Sequence, residues 1–243
     1  MSSKIDSSQH IILDVDNTLL YTSNTKFISA DKKEKPDFTI DLGGRPGYVY
    51  LRPYLFEFFD YCFANFKTVN IWTLGNLYYF QSILKELKKK YKKKMHFHIV
   101  YTFEDSPKKY YDDIDGFMNI KDLNKIWDNP LYSSTGINKN NTIFIDDRSD
   151  VLRETPGNHI EVGKYIGQKK DDTLLKLTMF LNKIKDKKMI PRVKKVDWYL
   201  KTQINEKTKA AVLPPPPPVE KKKASPPKRS PKKGNGKKGL KNY

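Results

Sequence analysis

Two pairs of carboxylates stand where chemistry could begin. Asp14 and Asp16 close the apolar run Ile11-Ile-Leu-Asp-Val-Asp, and Asp146 and Asp147 close Asn141-Thr-Ile-Phe-Ile-Asp-Asp. Residues two apart share a face of a regular strand, but at a strand end each carboxylate can turn separately toward one point. Acids gathered this closely repel and raise each other's pKa unless a cation neutralises them. A small hard ion with oxygen ligands meets that need, and Mg2+ fits. The chemistry such a set supports is phosphoryl transfer, which needs an in-line nucleophile, a proton shuttle and positive charge on the equatorial oxygens. Asp14, first past its strand, suits the nucleophile that forms an aspartyl phosphate. Asp16 suits the acid that protonates the leaving oxygen and the base that later activates water. Thr73, closing Thr68-Val-Asn-Ile-Trp-Thr, can donate a hydrogen bond to the phosphate. Lys121 can supply the positive charge, with Lys164 as its competitor.

These residues need an alternating fold to bring them together. Strands are predicted at 11–16, 38–40, 48–51, 68–73, 96–101, 141–147 and 160–162, with a Gly43-Gly44 turn between the second and third. One helix opens at Pro53, since proline fits a first helical turn, and turns Leu55, Phe58, Phe59, Cys62 and Phe63 inward. A second runs from the cap Asn76 to about Lys90. A short one covers 121–127, and a closing one covers 171–186. Residues 103–119 read as polar and irregular. The alternation predicts an α/β, Rossmann-like parallel sheet with helices on both faces and a small β-hairpin insertion. Ligands of such sheets bind beyond the carboxyl ends of the strands, where Asp14, Asp16, Thr73, Asp146 and Asp147 all fall.

The resemblance to a known family rests on four motifs in order. Asp14-Val-Asp-Asn-Thr-Leu-Leu resembles the first motif of the haloacid dehalogenase superfamily. Thr73 in Ile71-Trp-Thr-Leu-Gly-Asn matches the second, Lys121 in Ile120-Lys-Asp-Leu the third, and Ile145-Asp-Asp-Arg the fourth. Within it, Tyr50-Leu-Arg-Pro-Tyr-Leu-Phe-Glu-Phe-Phe is similar to the Arg-Pro helix start of the RNA polymerase II C-terminal-domain phosphatases of the Fcp/Scp type, and Asp146-Asp-Arg-Ser-Asp-Val to the Fcp branch. The resemblance covers roughly residues 9–185. It implies a phosphoserine or phosphothreonine protein phosphatase acting on Ser-Pro substrates, with Asp14 as nucleophile and Asp16 as acid and base. It also implies Mg2+ held by Asp14, the backbone of Asp16, Asp146 and Asp147, and no large cap domain. No insertion after Asp16 or Thr73 is long enough to fold as one. The acidic, tyrosine-rich segment 103–119 departs from the family pattern.

Composition sets the boundaries. Of the net charge of +18, thirteen Lys and Arg against Glu206 and Glu220 fall from Lys201 onward, giving that segment +11 and the first 200 residues +7. The division expected is a phosphatase domain over 1–202 and a disordered basic tail over 203–243. That tail holds the stiff run Pro214–Pro218 and a Lys-rich stretch too charged to bury anything. Its lysines are expected to reach nucleic acid or another polyanion, and Ser225-Pro and Ser230-Pro offer phosphorylation sites for self-regulation. The Lys88–Lys94 run reads as the solvated end of a helix. No apolar run is long enough to span a membrane, no secretory signal opens the chain, and the single cysteine, Cys62, reads as a small buried hydrophobe. An intracellular setting, nuclear or cytoplasmic, is the expectation. A nucleotide or nucleic-acid phosphatase and a non-catalytic binding module on the same fold are the competing functions; the sequence carries no signature of oligomeric state.

Overall fold

The computed structural model describes residues 8–26, 35–184, 187, 189–192, 195 and 197–204. Except for residues 203 and 204, the predicted tail and its serines lie outside these. The strands are β1 (His10–Leu13), β2 (Leu20–Ser23), β3 (Phe38–Asp41), β4 (Pro46–Leu51), β5 (Thr68–Trp72), β6 (Val100–Tyr101), β7 (Lys108–Tyr111), β8 (Gly116–Asn119), β9 (Thr142–Asp146) and β10 (His159–Glu161). The helices are α1 (Leu55–Asn65), α2 (Leu77–Lys90), α3 (Asn124–Trp127), α4 (Thr173–Ile184) and α5 (Trp198–Lys201).

Five strands form one parallel sheet in the order β10-β9-β1-β5-β6. The chain leaves β1 toward β5 and β6, then returns to β9 and β10 on the other side. The carboxyl end of β1 is therefore a topological switch point, where such sheets open a crevice. The period-two alternation of a strand divides the interior in two. Ile11, Leu13, Val69, Ile71, Ile143 and Ile145 face a core closed by α1, α2 and α4 through Phe58, Phe59, Ile83, Leu87, Leu174 and Leu177. Ile12, Trp72 and Phe144 face the other, closed by Leu123, Ile126, Val151 and Leu152. Both faces are thus covered, which is why the sheet strands read as near-continuous apolar runs. Cys62 is fully buried, and burial raises its thiol pKa well above the usual value. Among the described residues no helix is long and apolar enough to cross a membrane.

Several predicted boundaries shift. The small insertion is an antiparallel sheet of three strands, β2-β4-β3, rather than a hairpin alone. Its turn sets Gly43 and Gly44 at φ 70° and 86°. Pro53 lies ahead of its helix, because Tyr54 takes a left-handed φ of 66° and α1 begins at Leu55. The strand predicted from 96 shrinks to β6, where the Asn70 side chain takes the Ile99 amide at 3.1 Å. The helix predicted from Lys121 begins only at Asn124. Residues 103–119 are not irregular throughout: β7 and β8 pair antiparallel. Their side chains are mostly exposed, so no burial alternation marks them as strands.

Candidate active site

The sheet delivers each acid from a different place. β1 ends at Leu13, and the Asp14 amide still donates to the Ile145 carbonyl at 2.9 Å, keeping Asp14 level with the end of β9. The chain then turns back. Asn17 sits at φ 61°, a conformation asparagine tolerates, and its side chain donates to the Tyr165 carbonyl at 2.9 Å. The same turn buries Thr18, whose hydroxyl accepts from the Asp147 amide at 3.0 Å and donates to that residue's carboxylate at 3.3 Å. Thr18 thus ties the first carboxylate pair to the second.

Lys121 is the hub. Its ammonium is buried and donates to Asp14 Oδ1 and to Asp146 Oδ2, each at 2.6 Å. Burial alone would lower its pKa, but the two carboxylates overcome that and raise it. Lys164, by contrast, is exposed. Asp146 is held by a second donor, the Arg148 amide, at 2.8 Å. Asp16 turns the other way. It accepts from the Tyr79 hydroxyl and, at 3.3 Å, from the Thr73 hydroxyl.

Burial pushes Asp14 up to about 6; Lys121 opposes the rise and the charge of Asp146 adds to it. Burial likewise lifts Asp16 to about 6 against the hydrogen bond from Tyr79. Asp146 and Asp147 are raised by burial as well. One ammonium among four carboxylates leaves the cleft short of positive charge. Asp14, Asp146 and Asp147 each present a carboxylate oxygen, all within 4.8 Å of one another. Three hard oxygen donors at that spacing, with raised pKa values, suit a small divalent cation. The Asp16 carboxylate is not part of that group, being taken by Tyr79 and Thr73.

The structure therefore gathers all six residues singled out in the sequence. Asp14, Asp16, Lys121, Asp146 and Asp147 line a cavity of about 250 Å³, with Gly75 and Arg148 on its wall. Thr73 stands behind Asp16. Sequence reasoning missed Tyr79, which looks like one more aromatic of an amphipathic helix. It also missed Arg52 as a clamp. That buried guanidinium donates to Asp171 at 3.0 Å through two nitrogens, to the Thr18 carbonyl at 2.9 Å and to the Gly163 carbonyl at 2.7 Å. The Arg-Pro motif holds the signal for it.

The family described as NLI interacting factor-like phosphatase matches residues 9–191. No curated protein matches. Among solved structures, that of Fcp1, an essential RNA polymerase II CTD phosphatase, is 19% identical over 65% of this chain and 43% of that one, with a TM-score of 0.47. A fission yeast RNA polymerase II CTD phosphatase, an Fcp1 variant bound to beryllium fluoride, is 15% identical over 78% of this chain and 60% of that one, with a TM-score of 0.45. The chain thus spans less than two thirds of the length of either structure.

Proposed function

Because this chain belongs to the NLI interacting factor-like phosphatase family, we propose that it is a Mg2+-dependent phosphatase that removes phosphate from serine or threonine of another protein through a phosphoaspartate on Asp14. The observation that carries this reading is the meeting of Asp14, Asp146 and Asp147 within 4.8 Å, with Lys121 bonded to two of them. When bound, Mg2+ supplies positive charge to the transferring phosphoryl group. Asp14, Asp146 and Asp147 would hold it through side chains, and Asp16 through its backbone.

The chain's own residues divide the remaining work. Lys121 engages one oxygen of Asp14, and the carboxylate attacks phosphorus through the other. The ester P–O bond breaks, and the departing serine oxygen takes the proton held by Asp16. Water then attacks the aspartyl phosphate and returns a proton to Asp16, so phosphate and free Asp14 are regenerated. An Asp16 carboxyl displaced to about 6 suits this work, because it can change protonation state near neutrality. Thr73 and Lys121 fix Asp16 and the phosphoryl-binding wall.

A panel of phosphoserine and phosphothreonine peptides, assayed on the full chain with and without Mg2+, tests the proposal. Turnover that disappears with chelator and returns with Mg2+ is expected. Faster turnover of phosphorylated oligonucleotides would replace the protein substrate with a nucleic acid, the reading the basic segment beyond residue 204 favours.

A further inference from the structure

We infer that Tyr79 is a positioning residue for Asp16, oriented by Thr22 of the inserted sheet and admitted by the space that Gly75 leaves. The inference rests on the proton-shuttle role proposed above for Asp16.

Tyr79 is the third residue of α2, and its amide is taken by the Asn76 cap at 2.8 Å, which fixes where the ring leaves the helix. Its neighbour Tyr78 is 60% exposed, whereas the Tyr79 ring turns inward. A phenol has one proton to give. Given to Asp16 Oδ1, it leaves the phenol oxygen to accept from the Thr22 hydroxyl, 2.7 Å away. The chain of donation therefore runs from β2 to Tyr79 to Asp16. The second Asp16 oxygen accepts from Thr73, whose hydroxyl accepts from the Gly75 amide at 2.9 Å. Each carboxylate oxygen thus answers to a different element, and the group cannot rotate about its last bond without losing a donor.

Gly75 carries independent evidence. A Cβ there would lie 2.5 Å and 2.9 Å from two Tyr79 ring carbons and 3.3 Å from the Thr73 hydroxyl. The ring occupies the volume that any other residue at 75 would fill. Tyr79 is not among the residues lining the cavity, while Asp16 is. With its hydroxyl engaged by Asp16 and Thr22, Tyr79 is assigned to Asp16 and not to the substrate. When the ester bond breaks and the Asp16 proton passes to the serine oxygen, the new carboxylate keeps two donors already aimed at it, and hydrogen bonds to a charged group are the strong ones.

The requirement for an acid grows with the basicity of the leaving oxygen, and this supplies the test. The value of kcat/KM reports the first half-reaction, in which the leaving group departs. In Tyr79→Phe of the full chain, kcat/KM for a phosphoserine peptide is expected to fall roughly ten- to a hundredfold, less than the roughly 10²- to 10⁴-fold worth of general acid catalysis itself, because the acid is misplaced and not removed. For 4-nitrophenyl phosphate, whose leaving group needs no proton, it should fall at most about threefold on the same scale. Thr22→Val should show the same selectivity, more weakly. The double variant should be no worse than Tyr79→Phe, since both act on one chain of bonds. Equal losses on both substrates, or no loss on either, in variants with unchanged thermal midpoints would overturn the inference. If Tyr79→Phe does not fold, Thr22→Val alone decides by the same ratio. No turnover of either substrate by the unaltered chain would overturn the phosphatase reading itself, and the positioning role with it.

Discussion

The amino-terminal part of the central sheet and its carboxyl end both bury polar side chains, with different results. Near the start of the strands, His10 Nδ1 meets the Thr68 hydroxyl at 2.8 Å, and Asn70 donates to the Ile11 carbonyl at 2.9 Å. Burial lowers His10 to about 4, with Lys67 and His98 adding to the effect, so the ring stays neutral. At the carboxyl end, Asp14 and Asp146 are buried and Asp16 partly so, burial raises the pKa of all three and lifts Asp14 and Asp16 to about 6, and three of the acids there converge on one point. Burial of polar groups is common to both regions. What separates them is that one set is neutral and uncrowded, while the other is charged, crowded and left with one lysine. Convergence of like charge, and not burial, is the mark of a site.

The largest test of this contrast is Asp14→Asn. Turnover of a phosphopeptide should fall by at least about 10⁴-fold, the scale seen when a nucleophile is removed. Near-normal turnover would remove the carboxyl end from the chemistry. Asp16→Asn comes next, with a loss of roughly 10²- to 10⁴-fold and an opposite effect on stability. The folded carboxyl titrates at about 6, against an ordinary value of 3.8. The unfolded chain therefore loses its proton first. Stability is lost as pH rises from about 3.8 through about 6, on the order of 3 kcal/mol. In chelator at pH 8 the Asn variant should melt higher than the unaltered chain; a lower midpoint would show that the charge is not a burden.

The amino-terminal part should behave in the reverse sense. His10 has a folded pKa of about 4 against 6.5. Its contribution is complete above about 6.5 and is lost as pH falls toward about 4, by up to about 3 kcal/mol. Urea titrations across that window should show a shallower slope in His10→Gln, with turnover at neutral pH unchanged. The smallest effect belongs to Thr68→Val, which removes one buried partner. It should cost about 1 kcal/mol in urea unfolding and leave kcat/KM alone. A change in turnover there would mean that the two regions are coupled.

Legibility in the sequence followed the same divide between pattern and contact. α2 could be placed at 77–90 because a capping asparagine and an apolar period both mark it. The site residues could be named because each closes a visible apolar run or a recognisable motif. β2 was missed because Leu20-Tyr-Thr-Ser has no alternation of its own and exists by pairing with β4. β7 and β8 were missed because their side chains are solvated and only backbone pairing makes them strands. Tyr79 goes unmarked in the sequence and Arg52 shows only as part of a motif, since neither residue type nor spacing shows what a side chain reaches 63 or 119 positions away.

The place of β1 in the sheet has a further consequence. It is bonded on both sides, by β5 and by β9, along its whole length. Segments of that kind open only when the whole molecule does, whereas edges and exposed hairpins open alone. In heavy water the amide protons of Ile12 and Leu13 should be among the last to exchange, while those of β7 and β8 go early. The proposed nucleophile is thus tethered directly to an interior, slow-opening strand, and fraying at the periphery leaves its position intact.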